Sequence, residues 1–348
     1  MKKRTSSRPI LTVILPVGPG CSPIKAMKAL AKGIPAGLHT EILVVTGLQP
    51  SRQRNLAART SSGEFLYFLD HDSEVETGTI GKLLGELRKP GIAASGGPNL
   101  ACQAMSRMED LYGRVFASPF GSPMVSSRYR GEGEIRQAGE RDLILCNLMV
   151  RRDIFLGLHG FDPRLYPNEE NEFLNRLADS GGKAVYRPDA PIRKPRKYSI
   201  GGFVWESFRN GMGRMTQIWV DIHPGDAIFL LVPAGMVAGA IAATSYPMLL
   251  WVIPTYLLAI IAENTRILTQ KPSILGGLLA KAGSLAVLSL LMILRHTSYG
   301  LGLLWGGLWG WKARSVKISA MTLRLGRYLV ERGRMAPAGE EKAEIGLQ

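Results

Sequence analysis

Cysteine is scarce in this chain: three occur among its 348 residues, at positions 21, 102 and 146. No two of them have the C-x-x-C spacing, so the sequence favours neither a cysteine-based zinc site nor a disulfide framework. The five histidines are also scattered, without a pair at the spacing of metal ligands on a helix. The scattered cysteines agree with a reducing compartment for the soluble part of the chain.

Charged residues are absent from Ala227 to Ala262. About 20 apolar residues suffice for one helix to cross a bilayer, so this stretch predicts two short crossings that turn at Ser245–Pro247. Two further apolar segments, Ser273–Leu294 and Tyr299–Trp311, predict a hairpin, a re-entrant pair or a pair lying on the membrane surface. Lysine and arginine follow the second and last segments but not the first turn, which predicts that both ends of the tract face the cytoplasm.

The chain is strongly basic, with a formal net charge of +15 and an isoelectric point of about 9.9. Such a charge suits nucleic acid, anionic lipid or an acidic small ligand. The basic residues are dispersed and in part follow the apolar tract, which favours a membrane surface and makes nucleic acid an unexpected partner. Residues 312–348 predict a basic segment beside the membrane, followed by a loose tail.

Strand and helix patterns alternate through residues 11–69. Continuous apolar runs at Leu11–Leu15, Glu41–Val45 and Phe65–Leu69 predict strands buried on both faces of a sheet. The segments between them, Ile24–Ala31 and Arg52–Thr60, have helix-forming composition. This order predicts a parallel sheet with right-handed crossovers, and therefore an α/β fold.

Two aspartates directly follow the third predicted strand. Ligands of open α/β sheets bind beyond the carboxyl ends of the strands, and Asp70 and Asp72, as residues i and i+2 of an extended chain, would point to the same side. Paired carboxylates suit Mg²⁺ or Mn²⁺, with the phosphates of a ligand on the other side of the ion. The alternative is structural: Asp72 or Ser73 would only shape the turn before the next helix.

Three carboxylates, Glu169, Glu170 and Glu172, precede an amphipathic helix pattern. Two interpretations stay open for them. Acidic side chains in a first turn stabilise a helix through its dipole, whereas a carboxylate beside a substrate could take a proton from a hydroxyl as a general base. Just upstream, the glycines of GLHGFD, residues 157–162, favour a loop that can approach a ligand closely.

The order of these motifs carries more information than any one of them. Along the chain come VILP, EILVV, QRNLAA, GEFLYFLDHD, RRDIFLGLHGFD, NEENEFLNRL and YRPDA. In this order they resemble the family 2 glycosyltransferases, over roughly Leu11 to Arg214. The segment RHTSYGLGLLWG, residues 295–306, also looks like that of membrane-attached members that build bacterial exopolysaccharides such as succinoglycan. The resemblance implies a GT-A domain, a Rossmann-like α/β nucleotide-sugar fold, at residues 1–225 and membrane helices at 226–311.

The resemblance also implies roles for individual residues. Asp70 and Asp72 match the D-x-D pair that holds a divalent cation, Mg²⁺ or Mn²⁺, and the sugar nucleotide. Glu170 matches the general base that activates the acceptor hydroxyl. The residues that match donor-binding positions are Pro16, Val17, Thr46, Arg54, Asn55, Asp70, Gly160, Phe161, Asp162 and Arg214.

The chain departs from the family pattern at several positions. Thr46 stands where members commonly carry an aspartate that holds the nucleoside, which leaves the identity of the nucleotide open. Glu170 replaces an aspartate and lengthens the side chain by one methylene, a change that preserves proton acceptance. No Q-x-x-R-W motif follows the base, so a processive polysaccharide synthase is not expected.

The resemblance therefore implies an enzyme, a hexosyltransferase that moves one sugar with inversion, and with the help of a metal ion, from a nucleotide-diphosphate donor. The apolar tract implies an acceptor saccharide on a polyprenyl-diphosphate lipid, and a place in the bacterial inner (cytoplasmic) membrane with the catalytic domain in the cytoplasm. Other polysaccharide-assembly proteins could be further partners. The open alternative, motivated by Thr46, is a catalytically degenerate relative that serves as a scaffold in an envelope polysaccharide assembly.

Overall fold

The computed structural model describes residues 9–102, 106–196, 199–270, 278–310, 312, 321–331 and 334–345. The chain divides into two compact units. The first comprises Met1–Cys102, Ser127–Pro195 and Lys317–Gln348, and the second comprises Gln103–Ser126 and Arg196–Val316. This division differs from the boundary expected at residue 225, because residues 103–126 and 196–225 group with the apolar helices and the chain's C-terminal segment groups with the α/β unit.

Twelve strands lie in the described part of the first unit, in two sheets. They are β1 (Leu11–Val17), β2 (Thr40–Thr46), β3 (Phe65–Leu69), β4 (Glu74–Val75), β5 (Ile92–Gly96), β6 (Asn99–Ala101), β7 (Arg136–Ala138), β8 (Asn147–Arg151), β9 (Lys183–Tyr186), β10 (Ile192–Lys194), β11 (Met321–Glu331) and β12 (Arg334–Ile345). The large sheet has the order β12-β11-β2-β1-β3-β8-β5-β9-β7, and the small sheet has the order β4-β10-β6.

Ten α-helices occur among the described residues of the two units. They are α1 (Ile24–Gly33), α2 (Pro50–Thr60), α3 (Thr79–Leu87), α4 (Arg107–Ala117), α5 (Arg152–Gly157), α6 (Glu169–Asp179), α7 (Ile200–Val220), α8 (Ala227–Ser245), α9 (Val252–Gln270) and α10 (Leu278–Trp309). Helices α4 and α7–α10 belong to the second unit, and the other five belong to the first.

The centre of the large sheet is parallel, as the alternating sequence pattern predicts. Leu11 of β1 lies opposite Thr40 of β2 and Phe65 of β3. Outside this centre the sheet is mixed, since β8 runs antiparallel to β3 and pairs Asn147 with Leu69. The carboxyl ends of β1, β2 and β3 therefore meet at one edge, where ligands of α/β sheets bind. The predicted α/β class is confirmed.

One face of the large sheet is covered by a cluster of phenylalanines. The ring of Phe161 lies 4.9 Å from those of Phe68 and Phe155, and 5.5 Å from that of Phe173. The Phe161 side chain is almost fully buried, and aromatic pairs at such distances stabilise a core beyond their buried area. Phe161 therefore anchors the loop before α6 to the sheet.

The C-terminal segment forms a hairpin on the edge of the large sheet. Strand β11 pairs antiparallel with β2 and with β12. The fully buried Glu41 of β2 accepts a hydrogen bond from Arg327 at 2.7 Å and one from Thr12 at 2.8 Å. The segment is therefore not the loose tail that the sequence predicted. By pairing with β2, strand β11 satisfies backbone groups that an open sheet edge would leave unpaired. It also brings Arg327 to the buried Glu41, which needs a cationic partner.

Glycines let α7 and α10 approach closely within the second unit. A Cβ added at Gly211 would lie 2.2 Å from the carbonyl oxygen of Tyr299, and one added at Gly302 would lie 2.1 Å from that of Phe208. Small residues in this role are typical of helix pairs that pack in membranes.

Helix α10 runs without a break from residue 278 to 309. The expectation of two separate apolar segments in this region is therefore wrong.

The second unit exposes many large apolar side chains. Helix α8 ends at Ser245 and α9 begins after a short turn, close to the predicted turn. Exposed side chains of this region include Ile228, Leu231, Ile241, Trp251 and Leu258. Among the described residues, one helix is long and apolar enough to cross a membrane, Lys281–Trp309 of α10. Crossings by α8 and α9 stay a prediction.

Candidate active site

Asp70 and Asp72 converge on one cationic group. Asp70 follows the last residue of β3, and its Oδ2 accepts a hydrogen bond from Lys194 Nζ at 2.8 Å. The same Nζ lies 3.2 Å from Asp72 Oδ1. The three side chains are 24–31% exposed, so the cluster faces solvent. The two carboxylates therefore converge on one side, although His71 and Asp72 lie in a turn, closed by the hydrogen bond from the Ser73 N–H to the Asp70 carbonyl oxygen at 3.1 Å, and not in the extended chain that the prediction assumed.

Arg54 connects the end of β3 to the start of α6. Its side chain is 5% exposed, and its two terminal nitrogens lie 3.0 Å from Asp70 Oδ1 and 3.0 Å from Glu169 Oε1. Because a planar guanidinium binds carboxylates with fixed geometry, Arg54 fixes two acids from distant parts of the sequence against each other. Arg54, predicted to bind the donor, thus forms ion pairs with two acids of the protein itself.

Burial and charge set the protonation of this network. Burial opposes ionisation of Asp70, but Lys194 and Arg54 outweigh it and hold the pKa of Asp70 well below its usual range. Burial likewise opposes the charge of Lys194, yet Asp70 and Asp72 raise the pKa of Lys194 well above the usual value. Burial raises the pKa of Glu169 to about 7, against the attraction of Arg54. Asp70 and Lys194 are therefore both charged at neutral pH, whereas Glu169 is only partly ionised.

The first turn of α6 carries acids with different partners. Glu170 is buried, and its Oε1 accepts a hydrogen bond from Arg128 at 3.4 Å. Arg128 also donates to the side chain of Asn171 at 2.5 Å. Glu172 instead pairs with Arg176, which donates to the carbonyl oxygen of Gly160 at 2.7 Å. The acidic turn therefore does more than complement the helix dipole, because Glu170 joins α6 to Arg128 and Glu169 joins it to Arg54 of α2.

Asn55 holds the glycine loop before α6. Its amide nitrogen donates to the carbonyl oxygen of Phe161 at 2.7 Å, and the backbone N–H of Phe161 donates back to Asn55 Oδ1 at 2.9 Å. Gly160 has φ +72°, and a Cβ there would lie 2.5 Å from Asn55 Oδ1, so only glycine fits. Asp162 is bound through both oxygens by Arg164. The structure thus brings Asn55 together with Gly160 and Phe161, next to Asp162, and the donor-binding role of these residues stays a prediction.

The carboxyl ends of β1 and β2 are joined by a glutamine. Gln53 Nε2 donates to the carbonyl oxygens of Val17 at 3.0 Å and Val45 at 2.5 Å. Val17, which follows Pro16 at the end of β1, lies opposite Thr46 in the parallel pair. Thr46 also lies opposite Arg324 of β11, a neighbour that the sequence pattern did not reveal. Pro16, Val17 and Thr46 therefore share the sheet edge that Asp70 follows.

Arg214 belongs to the second unit rather than to this cluster. It lies in α7, where its guanidinium is 3.7 Å from Asp226 Oδ1 and stacks 4.7 Å over the ring of Phe229. Its side chain is almost fully buried. These contacts give Arg214 a packing role within the helical unit, and its predicted role in donor binding stays a prediction.

The chemistry of the aspartate pair fits a divalent cation that a substrate completes. Among the described residues, no group of three or more His, Cys, Asp or Glu side chains converges, so a fully protein-built metal site is not found there. Both oxygens of Asp70 accept hydrogen bonds from cationic side chains, while the buried Asp72 Oδ1 has the longer 3.2 Å ion contact with Lys194 and accepts no hydrogen bond from a described residue. Mg²⁺ and Mn²⁺ are commonly held by one or two carboxylates together with phosphates and water. Asp72 is therefore the stronger ligand candidate.

Sequence reasoning missed Lys194 and Arg128 as parts of this site. Lys194 lies 124 residues after Asp70 and in the small sheet, so no local spacing links the two. Arg128 lies in a short 3₁₀ turn without a recognisable motif. Only the three-dimensional pairing of strands and loops brings these cations to the acids.

A model of the family named glycosyl transferase family 2 matches residues 28–156. Over these residues, less than half of its length, the chain is similar to that family. The match includes Arg54, Asn55, Asp70 and Asp72, and the resemblance drawn from the order of the motifs is confirmed. The match thus covers β2, β3 and the aspartate pair, while Lys194 and the first turn of α6 lie beyond the matched residues.

Similar proteins are found among curated sequences and solved structures. The succinoglycan biosynthesis protein ExoM of Rhizobium meliloti (strain 1021) is 27% identical over 199 residues, which cover 53% of this chain and 58% of that protein. The chain thus spans little more than half the length of this relative. A structure of GalNAc-T7 with UDP, GalNAc and Mn²⁺ has a TM-score of 0.40 and 11% identity, covering 63% of this chain and 52% of that one. A structure of S. aureus TarS has a TM-score of 0.40 and 12% identity, covering 57% and 38%.

Proposed function

We propose that this chain transfers a single sugar from a nucleotide-diphosphate donor to a saccharide carried on a membrane lipid, as a step in bacterial exopolysaccharide synthesis. The observation that carries the proposal is one ion-pair network beyond the parallel strands, in which Arg54 joins Asp70 to Glu169 and Lys194 joins Asp70 to Asp72. Acids and cations so arranged suit the diphosphate of a sugar nucleotide and the acceptor hydroxyl that attacks it.

On the donor side, Asp70 and Asp72 would hold a divalent cation, Mg²⁺ or Mn²⁺. When bound, such an ion offsets the negative charge that grows on the departing diphosphate. The chain's own residues orient the pair: Arg54 fixes one oxygen of Asp70, and the parallel strands fix the backbone before it. Asn55 keeps the Gly160–Phe161 loop in place beside the donor sugar through its two hydrogen bonds. Prior fixation of these groups lowers the barrier by avoiding reorganisation during reaction.

On the acceptor side, Glu170 would take the proton of the attacking hydroxyl as general base. Attack opposite the leaving diphosphate would invert the anomeric carbon. Arg128 binds both Glu170 and Asn171, so it orients the carboxylate at the start of α6. Glu169 binds Arg54 and has a raised pKa, and we assign it a positioning role between the base and the aspartate pair.

The acceptor and the location follow from the second unit. Its helices expose large apolar side chains, among them Leu231, Ile241 and Trp251, and patches of this kind mark membrane or partner surfaces. Helix α10 is long enough to cross a bilayer. We therefore infer attachment to the bacterial inner membrane with the family 2 domain in the cytoplasm. The name of the ExoM relative supports an exopolysaccharide product, built with other assembly proteins.

The test uses the full chain in detergent and a thermal-shift panel of nucleoside diphosphates and sugar nucleotides, each with and without Mn²⁺. A ligand that binds the native state raises the unfolding temperature. Nucleotides with one particular nucleobase should therefore stabilise the chain, and should stabilise it more when Mn²⁺ is present. The nucleotide sugar identified should then label a lipid extract in the presence of wild type and not of Asp72→Asn. Asp153→Asn, an exposed acid of α5, is the matched control.

Two results would contradict the proposal. The first is a flat panel, with no nucleotide and no sugar nucleotide shifting the unfolding temperature. The second is unchanged polysaccharide output in cells that carry Asp72→Ala and Glu170→Ala, which would favour the scaffold alternative.

A further inference from the structure

Lys194 occupies the position between the two aspartates where a shared cation would sit. Its Nζ lies 2.8 Å from Asp70 Oδ2 and 3.2 Å from Asp72 Oδ1. Strand pairing fixes its backbone, because β10 runs between β4 and β6 and pairs Lys194 with Ala101. Neither the family pattern nor the sequence spacing points to this residue.

The geometry of the pair excludes a second cation while Lys194 remains. A divalent ion that used oxygens of both aspartates would sit within a few ångströms of Nζ. Like charges this close repel each other at the effective dielectric of a protein surface, so the ammonium of Lys194 weakens the binding of a divalent cation there. Asp70 Oδ2 and the buried Asp72 Oδ1, which makes no hydrogen bond to a described residue, both lie beside this shared position.

The Lys194 side chain is able to leave. It is 27% exposed, and an ammonium on a flexible four-carbon stem can turn away without moving its strand. A diphosphate beside the aspartates would offer Nζ new anionic partners. The same diphosphate would provide the oxygen ligands that the aspartate pair lacks for a divalent cation.

We propose that Lys194 is a displaceable occupant of the cation position formed by Asp70 and Asp72, which keeps divalent cations weakly bound until a nucleotide diphosphate arrives. The proposal rests on the proposed function where it invokes the nucleotide. Its core, competition between Nζ and a divalent cation, requires only the three side chains. Cation and nucleotide then bind cooperatively. The diphosphate draws Nζ away from the aspartates, and the cation that replaces Nζ leaves it available to the diphosphate.

Direct Mn²⁺ binding by the full chain in detergent, followed by the electron paramagnetic resonance signal of free Mn²⁺, tests the competition without nucleotide. Lys194→Gln should bind Mn²⁺ at least tenfold more tightly than wild type. Lys194→Arg keeps the charge and should stay near wild type. The matched control is Lys25→Gln, which removes the same charge from a lysine that contacts Glu74 at 2.7 Å and lies in the field of Asp72; it should change the Mn²⁺ affinity about twofold or less.

Three outcomes would overturn the proposal: Lys194→Gln binds Mn²⁺ no more tightly than wild type, Lys25→Gln gains as much as Lys194→Gln, or none of the variants binds Mn²⁺. Circular dichroism of each variant checks that it is folded, and Lys194→Met repeats the test if the glutamine variant is not.

The nucleotide arm separates this inference from the proposed function. UDP and GDP should raise the Mn²⁺ affinity of wild type by a larger factor than that of Lys194→Gln, since the variant has no occupant to displace. If no nucleotide binds any variant, the proposed function fails, while the nucleotide-free titration still decides whether Lys194 competes with the cation.

Discussion

Replacing Arg54 by methionine probes the network that joins the aspartate pair to α6. Methionine is an uncharged side chain of similar length, so the substitution removes the buried cation between Asp70 and Glu169 and keeps much of the packing. Asp70 keeps Lys194 as a partner, whereas Glu169, only 2% exposed, loses its only described ion pair. Removing one partner of a buried pair typically costs about 3–5 kcal/mol. We expect a loss of unfolding free energy near the lower limit, about 3 kcal/mol above pH 8, because Asp70 stays paired.

The loss should depend on pH in a definite direction. The pKa of Glu169 is raised to about 7 in the folded chain, compared with about 4.5 in the unfolded chain. The stability that Glu169 contributes is therefore fully present below pH 4.5 and is lost as the pH rises through 7. Without Arg54 this pKa rises further, and the ionised acid has no counter-charge. The cost of Arg54→Met should therefore be largest above pH 8 and should shrink by more than half near pH 5.5, where Glu169 is protonated in both proteins.

Denaturant unfolding of the full chain in detergent at pH 5.5, 7 and 8.5 measures this difference. Arg59→Met, an exposed arginine of the same helix, is the matched control and should cost under about 0.5 kcal/mol at every pH. The double variant Arg54→Met/Glu169→Gln should lose less than the sum of the single variants, because the unpaired carboxylate is gone. A cost of Arg54→Met that equals the control, or that is the same at all three pH values, would refute the reasoning.

Three further outcomes follow from other contacts. Glu170→Gln should lower the transfer rate about 10²–10⁴-fold, the range for loss of a general base, with nucleotide binding unchanged in a thermal shift; a rate within a factor of three of wild type would exclude that role. Arg327→Met leaves Glu41 buried without its cation and should cost about 3 kcal/mol in denaturant unfolding, whereas a cost below 0.5 kcal/mol would show that the hairpin does not depend on this pair. Gly302→Leu places a side chain against the carbonyl oxygen of Phe208, 2.1 Å from a Cβ, and should lower the unfolding temperature in detergent by several degrees; an unchanged temperature would contradict the close helix contact.

The sequence pattern was sufficient for the centre of the sheet and for the aspartate pair. Continuous apolar runs identify buried strands, and Phe65–Leu69 is observed with the predicted bounds. Once that strand is fixed, Asp70 must follow its carboxyl end. The order of the motifs supplied the family, because each motif alone is short and common.

Partners from distant parts of the chain were beyond such reasoning. Strand β11 was not predicted because its basic residues suggested a segment beside the membrane, whereas Arg327 in fact pairs with a buried acid. The break expected in α10 rested on the polar residues after Leu294. Arg295 is buried there and donates to Gly121 and Ser122 at 2.6 and 2.9 Å, so the helix continues. Pairing across the fold, rather than local composition, decides both cases.

The most direct measurement is ³¹P relaxation of a nucleoside diphosphate bound to the full chain in the presence of Mn²⁺. The proposed role of Asp70 and Asp72 predicts strong paramagnetic broadening of both diphosphate phosphorus signals in wild type, with broadening lost in Asp72→Asn and retained in Asp153→Asn. Equal broadening in Asp72→Asn, or a bound nucleotide whose phosphorus signals ignore Mn²⁺, would contradict the assignment of the aspartate pair as the cation and diphosphate site.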